Sequence, residues 1–167
     1  MAKSDSFFIR ATVPATDNNF NQTSIDLGAY VDALGKSVLR IHNIAVRYPK
    51  PAGILVVPPY TGYCQMQLTT QSQTGIVGMD NKSLIASGTA SLHYETSASF
   101  PTNVNDEVDV APQMWTNGYL VGVEQIYLGA VSDDGWDSTD GELGIILECT
   151  VETLSQSGAM ALALSQQ

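Results

Sequence analysis

From Leu143 to Val151 every second residue is apolar (Leu143, Ile145, Leu147, Cys149, Val151), and the intervening positions carry Gly144, Glu148 and Thr150, with Ile146 as the one apolar exception. Side chains alternate between two faces only on an extended backbone, so this stretch predicts a strand with one buried and one solvated face. The same alternation recurs over 62–70, where Cys64, Met66 and Leu68 oppose Tyr63, Gln65 and Gln67. It recurs again over 88–96, where Ala90, Leu92 and Tyr94 oppose Thr89, Ser91, His93 and Glu95. Segments 6–13, 37–48, 53–57, 75–79, 119–131 and 159–164 alternate or are rich in β-branched and aromatic residues, and most are bounded by Gly, Pro, Asn or Asp. About nine or ten strands are therefore expected.

A half-buried antiparallel sheet must hide its apolar face against a second layer. The expected fold class is all-β, a two-sheet antiparallel β-sandwich. A single jelly roll suits 167 residues and long end loops better than an immunoglobulin-type sandwich, which is nearer 100 residues and often carries a Cys, Trp, Cys order. One short helix near the N-terminus is expected over 25–34, where Leu27, Tyr30, Val31 and Leu34 fall at helical spacing between Ser24 and Gly35. Residues 1–34 read as an N-terminal arm or strand containing that helix, and 35–167 as the sandwich domain. The segments 49–51, 58–59, 100–112 and 132–141 are too polar or too rich in proline for core strands and are expected as loops.

Charge is segregated along the chain. Residues 1–50 are net +2, and 83–167 hold twelve acidic residues with no Lys or Arg, within an overall formal charge of −10. Direct nucleic-acid binding is not indicated, because it depends on clustered cations that release counterions. The acids are either a solvated face or one half of a head-to-tail interface whose other half is the basic N-terminal third. Asp133, Asp134, Asp137, Asp140 and Glu142 form a Gly-punctuated loop rich in hard oxygens, a candidate Ca²⁺ site without EF-hand spacing. Asn103, Asn105, Asp106, Glu107 and Asp109 form a second oxygen-rich loop. No other cofactor is implied.

No catalytic residue is assigned. His42 and His93 lie within expected strands, outside any HExxH, GxSxG or Cys/His metal spacing, and the glycines spell neither a dinucleotide nor a P-loop fingerprint. Cys64 and Cys149 are in phase with apolar neighbours, as buried thiols or a disulfide. Trp115 and Trp136 fall in expected loops, where an indole either anchors an interface, stacks on a sugar, or closes the end of the core. Phe7, Phe8 and Ile9, followed by Arg10, form a candidate interface anchor able to add to a neighbour's sheet or to pair within its own subunit. The start, Met1 to Ser6 followed by a short apolar run cut by Arg10, lacks signal-peptide character, and no run is long enough for a membrane span.

Taken together, the arm up to Leu34, the long strand from Lys36 to Tyr48 and the late pair 118–131 and 141–154 resemble the small single jelly-roll capsid proteins of icosahedral viruses. The resemblance is one of pattern and carries no diagnostic motif. It implies a structural virion protein that assembles with copies of itself, and with other virion proteins, in the host cytoplasm. The arm departs from that pattern in holding only Lys3 and Arg10 as cations, so something else would face the genome. A carbohydrate- or receptor-binding β-sandwich and a filament subunit are the alternatives.

Overall fold

The computed structural model describes residues 4–16, 18–32, 36–50, 60–94, 103–134, 136 and 141–166. Nine strands precede one helix: β1 (Phe7–Pro14), β2 (Asn21–Asp26), β3 (Ser37–Arg47), β4 (Tyr60–Thr69), β5 (Leu84–Tyr94), β6 (Asn103–Val110), β7 (Tyr119–Val121), β8 (Gln125–Ser132), β9 (Glu142–Thr153) and α1 (Gln156–Ser165). They form two antiparallel sheets, ordered β1-β9-β3-β7 and β2-β8-β4-β5-β6. The pairing is nested: β1 with β9, β2 with β8, β3 with β7 and β4 with β5, alternating between the sheets. The chain is thus a long hairpin folded over on itself, with β6 added outside β5, an arrangement consistent with a jelly roll.

The alternation of β9 is realised from Leu143 to Cys149 and breaks beyond it, where Thr150 and Glu152 are buried and Val151 is half-buried. Leu143, Ile145, Leu147 and Cys149 are buried, facing Cys64, Met66, Leu68, Ile126 and Leu128 from the other sheet in one continuous apolar core. Cys64 and Cys149 are both free and buried. Loss of hydration pushes each thiol up to about 12, with Asp133 adding to the effect at Cys64 and Glu148 at Cys149.

Four expectations are corrected. The helix is at the C-terminus: 159–164 lies within α1, and no N-terminal helix is present among the described residues. Ala, Met and Leu at 159–164 alternate, but they are strong helix formers. Ser155 supplies the cap by accepting from Gly158 N–H at 3.2 Å, and Ala159 and Ala163, one turn apart, face the body. Over 25–34, Ile25 and Asp26 finish β2, and a single helical turn follows in which the amides of Tyr30 and Val31 donate to Leu27 O at 2.8 and 2.9 Å. Residues 75–79 are not a strand, because the buried Gln67 side chain substitutes for a neighbouring strand. Its amide donates to Gly75 O at 2.9 Å and accepts from Val77 N at 2.8 Å. Residues 103–110, expected as a loop, form the edge strand β6, where the exposed Asp109 suits an edge that must resist further pairing. The expected strand at 53–57 lies outside the described residues.

Two contacts fix the ends of the sheets. Gly118 sits at φ +63°, where a Cβ would fall 2.3 Å from the carbonyl of Ile41, so only glycine permits β7 to close on β3. Gln166 is buried. Its side chain accepts from Gly122 N at 2.9 Å and donates to Leu120 O at 2.6 Å, and its carbonyl accepts from Thr70 Oγ1 at 2.8 Å. The chain after α1 is thereby bonded to both sheets.

Candidate functional site

The outward face of β1, β9 and β3 is read directly from the register. Phe8 lies beside Glu148 and Asn43; Arg10 beside Ile146 and Ala45; Thr12 beside Gly144 and Arg47. Residues directly opposite in an antiparallel pair share a face, so these nine residues form three rows on one surface. Phe8 and Ile146 are exposed, at 57% and 39%. The absent side chain at Gly144 leaves a hollow of about 280 Å³, floored by Gly144 and Thr12 and bordered by Ile146, Ala45, Arg10 and Arg47. Ile146, the exception in the alternation, is therefore an apolar side chain in solvent on the wall of a hollow.

Farther along the same face, Arg40 is gripped by Glu152, Nε to Oε1 at 2.6 Å and Nη2 to Oε2 at 2.7 Å, and also donates to the carbonyl of Asn117. The hydrogen bond to Glu152 outweighs burial and raises the Arg40 pKa. His42 Nε2 contacts Thr150 Oγ1 at 2.9 Å. The segregated charges of the sequence meet here inside one chain: the basic N-terminal strands β1 and β3 flank the acidic β9, and Arg40 commits its charge to Glu152.

A second exposed apolar surface lies at one end of the sandwich. Met79, Leu84, Val110, Trp115 and Tyr119 line an open groove of about 470 Å³. Trp115 is 56% exposed and is held on a tight turn, its N–H donating to Pro112 O and its carbonyl accepting from Gly118 N. The groove and the Gly144 hollow share no lining residue.

The remaining candidate residues are distributed as follows. Trp136 is corrected as an interface anchor: it is buried at 1% exposure, and its indole donates to Pro49 O at 3.0 Å, so it closes the core instead. Phe7 and Ile9 pack on the core, Phe7 stacking on Tyr30 with ring centroids 4.7 Å apart, and β1 pairs with β9 of its own chain. Phe8 and Arg10 are, with Thr12 and Pro14, the outward members of that strand. Asp133 is structural: its Oδ1 accepts from Tyr63 N at 2.9 Å and Trp136 N at 3.1 Å, tying the loop to β4. Asp134 accepts from Asn18 Nδ2 at 2.5 Å, and Glu142 is exposed at the start of β9. Asp137 and Asp140 lie outside the described residues. Among the described residues no three His, Cys, Asp or Glu side chains are grouped to hold a metal ion, and no helix is long and apolar enough to cross a membrane.

The sandwich defines the class as a two-sheet, all-β protein. No protein-family model and no curated protein sequence matches the chain. Among solved structures it is similar to viral ones. A chain of Desmodium yellow mottle tymovirus is 11% identical, with 89% of this chain and 87% of that one covered at a TM-score of 0.36. A chain of maize chlorotic mottle virus is 8% identical, covering 90% and 95% at 0.31, and Merkel cell polyomavirus VP1, solved with GD1a oligosaccharide, is 8% identical, covering 89% and 94% at 0.37.

Proposed function

We propose that this chain is a non-catalytic structural subunit of a virion shell, a single jelly roll that associates with copies of itself. The observation that carries the reading is the pair of separate apolar surfaces on one sandwich, the Gly144 hollow on a sheet face and the Trp115 groove at an end. Isolated apolar side chains are ordinary on a surface, whereas grouped ones in concave sites mark places where another molecule seats. Two unlike surfaces on one subunit support head-to-tail contacts in more than one direction, which a closed shell requires and a simple two-fold dimer does not. The jelly roll occurs in both shell and lectin domains, so the groove's chemistry separates these uses. A sugar needs several hydrogen-bonding partners beside its stacking ring. Among the described residues the groove offers the apolar Met79, Leu84, Ile85 and Val110, with the Trp115 indole N–H and the Tyr119 hydroxyl as its polar side-chain groups, a lining suited to apolar side chains of a neighbouring subunit.

Negative-stain electron microscopy beside size-exclusion chromatography tests the proposal. The expected result is uniform closed particles whose formation depends on protein concentration. A species that stays near 17.8 kDa across concentration and salt would refute it, and quenching of Trp115 fluorescence by simple sugars would favour the lectin use.

A further inference from the structure

We infer that the hollow at Gly144 is a contact site for a second copy of this chain, receiving a carboxylate-bearing segment between Arg10 and Arg47. The inference rests on the shell reading and names one of its contacts. Three features converge on this spot. Ile146 places an apolar side chain outward in a strand whose other outward residues are polar or glycine. Gly144 lacks a side chain where one would fit: a Cβ there would meet nothing closer than Thr12 Cγ2 at 3.8 Å, ordinary van der Waals contact. Strand propensity disfavours glycine, and nothing among the described residues requires it, so the space is open to a partner.

The third feature is charge. Arg10 and Arg47 are exposed on opposite borders of the hollow, and neither forms an ion pair with a described residue, whereas Arg40 on the same face is committed to Glu152. A second copy is the occupant that complements them. Its chain has twelve acidic residues and no Lys or Arg after residue 82, so most of its C-terminal half offers carboxylates to a guanidinium pair. A long polyanion is disfavoured. Glu148 and Glu142 lie on the same face at either end of the rows, opposite Phe8 and Pro14, and would repel a phosphate backbone running along the strands. The site therefore accepts a short acidic segment with a small apolar side chain to cover Ile146 and Ala45.

Two variants test this against assembly of the full chain. Gly144→Val puts its Cβ at ordinary van der Waals distance from Thr12 and its methyls into the hollow, so its melting temperature should equal or exceed that of the parent. The protein concentration needed for half-assembly should nevertheless rise by about tenfold or more. Arg10→Glu with Arg47→Glu should also fold normally and lose assembly, and the parent's assembly should weaken with salt while any residual assembly of the double variant does not. If the parent assembles and both variants assemble unchanged, this contact is refuted and the shell reading stands. If the parent stays monomeric at every concentration, both fall together. Retention of short single-stranded DNA on the parent, lost in the double variant, would overturn the choice of partner.

Discussion

Replacing Glu152 by Gln removes the charge that holds Arg40 and leaves a guanidinium in a site where its side chain is only 14% exposed. The carboxylate it loses is itself 8% exposed and makes two hydrogen bonds, at 2.6 and 2.7 Å. Breaking a fully buried pair from one side costs about 3–5 kcal/mol, because the surviving charge stays desolvated. Arg40 retains some solvent contact and its bond to Asn117 O, which brings the expected cost to about 2–3 kcal/mol. For a chain of this size each kcal/mol moves the melting temperature by about 2–4 °C, so a fall of about 5–10 °C is expected by calorimetry, with the denaturant m-value unchanged. The double variant Arg40→Met with Glu152→Leu removes both charges. It should be more stable than Glu152→Leu alone, giving a coupling energy above about 1 kcal/mol in the cycle formed with the single variants Arg40→Met and Glu152→Leu. Adding salt to about 1 M should change the parent little, since both groups are shielded from the ions. Single variants within about 0.5 kcal/mol of the parent, or strictly additive effects, would show that this pair behaves as an exposed one and refute the reasoning.

The other predictions concern the core and its closures. Trp136→Ala should cost about 3–5 kcal/mol by chemical denaturation, from the lost ring volume and the unpaired Pro49 carbonyl, and a loss below about 1 kcal/mol would show that the ring does not close the core. Gln166→Ala should cost about 1–3 kcal/mol and raise hydrogen exchange at Gly122, whose amide loses its acceptor. Because burial raises both thiols from 9.0 to about 12, the unfolded chain loses these protons first as pH climbs past 9. Stability should therefore decline between those values in urea melts at stepped pH, and the decline should shrink when Cys64 and Cys149 are both replaced by Ala or Val. Labelling by a thiol reagent at neutral pH should proceed only as fast as the protein opens, and fast labelling of the native state would contradict the burial of both groups.

How much of this was legible in sequence depended on whether a residue's partners lay nearby in the chain. The core face of β9 was readable because alternation is local, and Cys64 and Cys149 declared themselves by their phase. β6 was not, because 103–110 is polar and becomes a strand only through the backbone of β5. Segment 159–164 satisfied two periods at once, and the cap at Ser155 together with helix-forming Ala, Met and Leu decided between them. Residues 75–79 look like a strand in composition and are held by one glutamine side chain, which no local pattern encodes. At the site, Ile146 was visible as an exception but had no meaning by itself. Its row-mates Arg10 and Ala45 come from two other strands, and the register that unites them is tertiary. Trp136 and Trp115 looked alike in sequence, and one tight turn at Asp133 sends the former inward while Gly118 leaves the latter outside.

The nested hairpin also dictates the order in which the molecule can come into being. In the first sheet β9 is the strand between β1 and β3, so two strands made early have their shared neighbour made last. While the chain is being synthesised, Phe7, Ile9, Leu39 and Ile41 have no lasting place to hide. The pairing of Phe7 with Cys149 joins positions near opposite ends of the molecule. Closing so long a loop is entropically slow, and topologies dominated by distant pairings fold in milliseconds to seconds rather than microseconds. Nascent chains crowded on one message would expose sticky, unfinished edges to one another throughout that interval, when misassembly is the competing fate. The core of the sandwich therefore stays open until β9, the last of the nine strands, is available to close the first sheet.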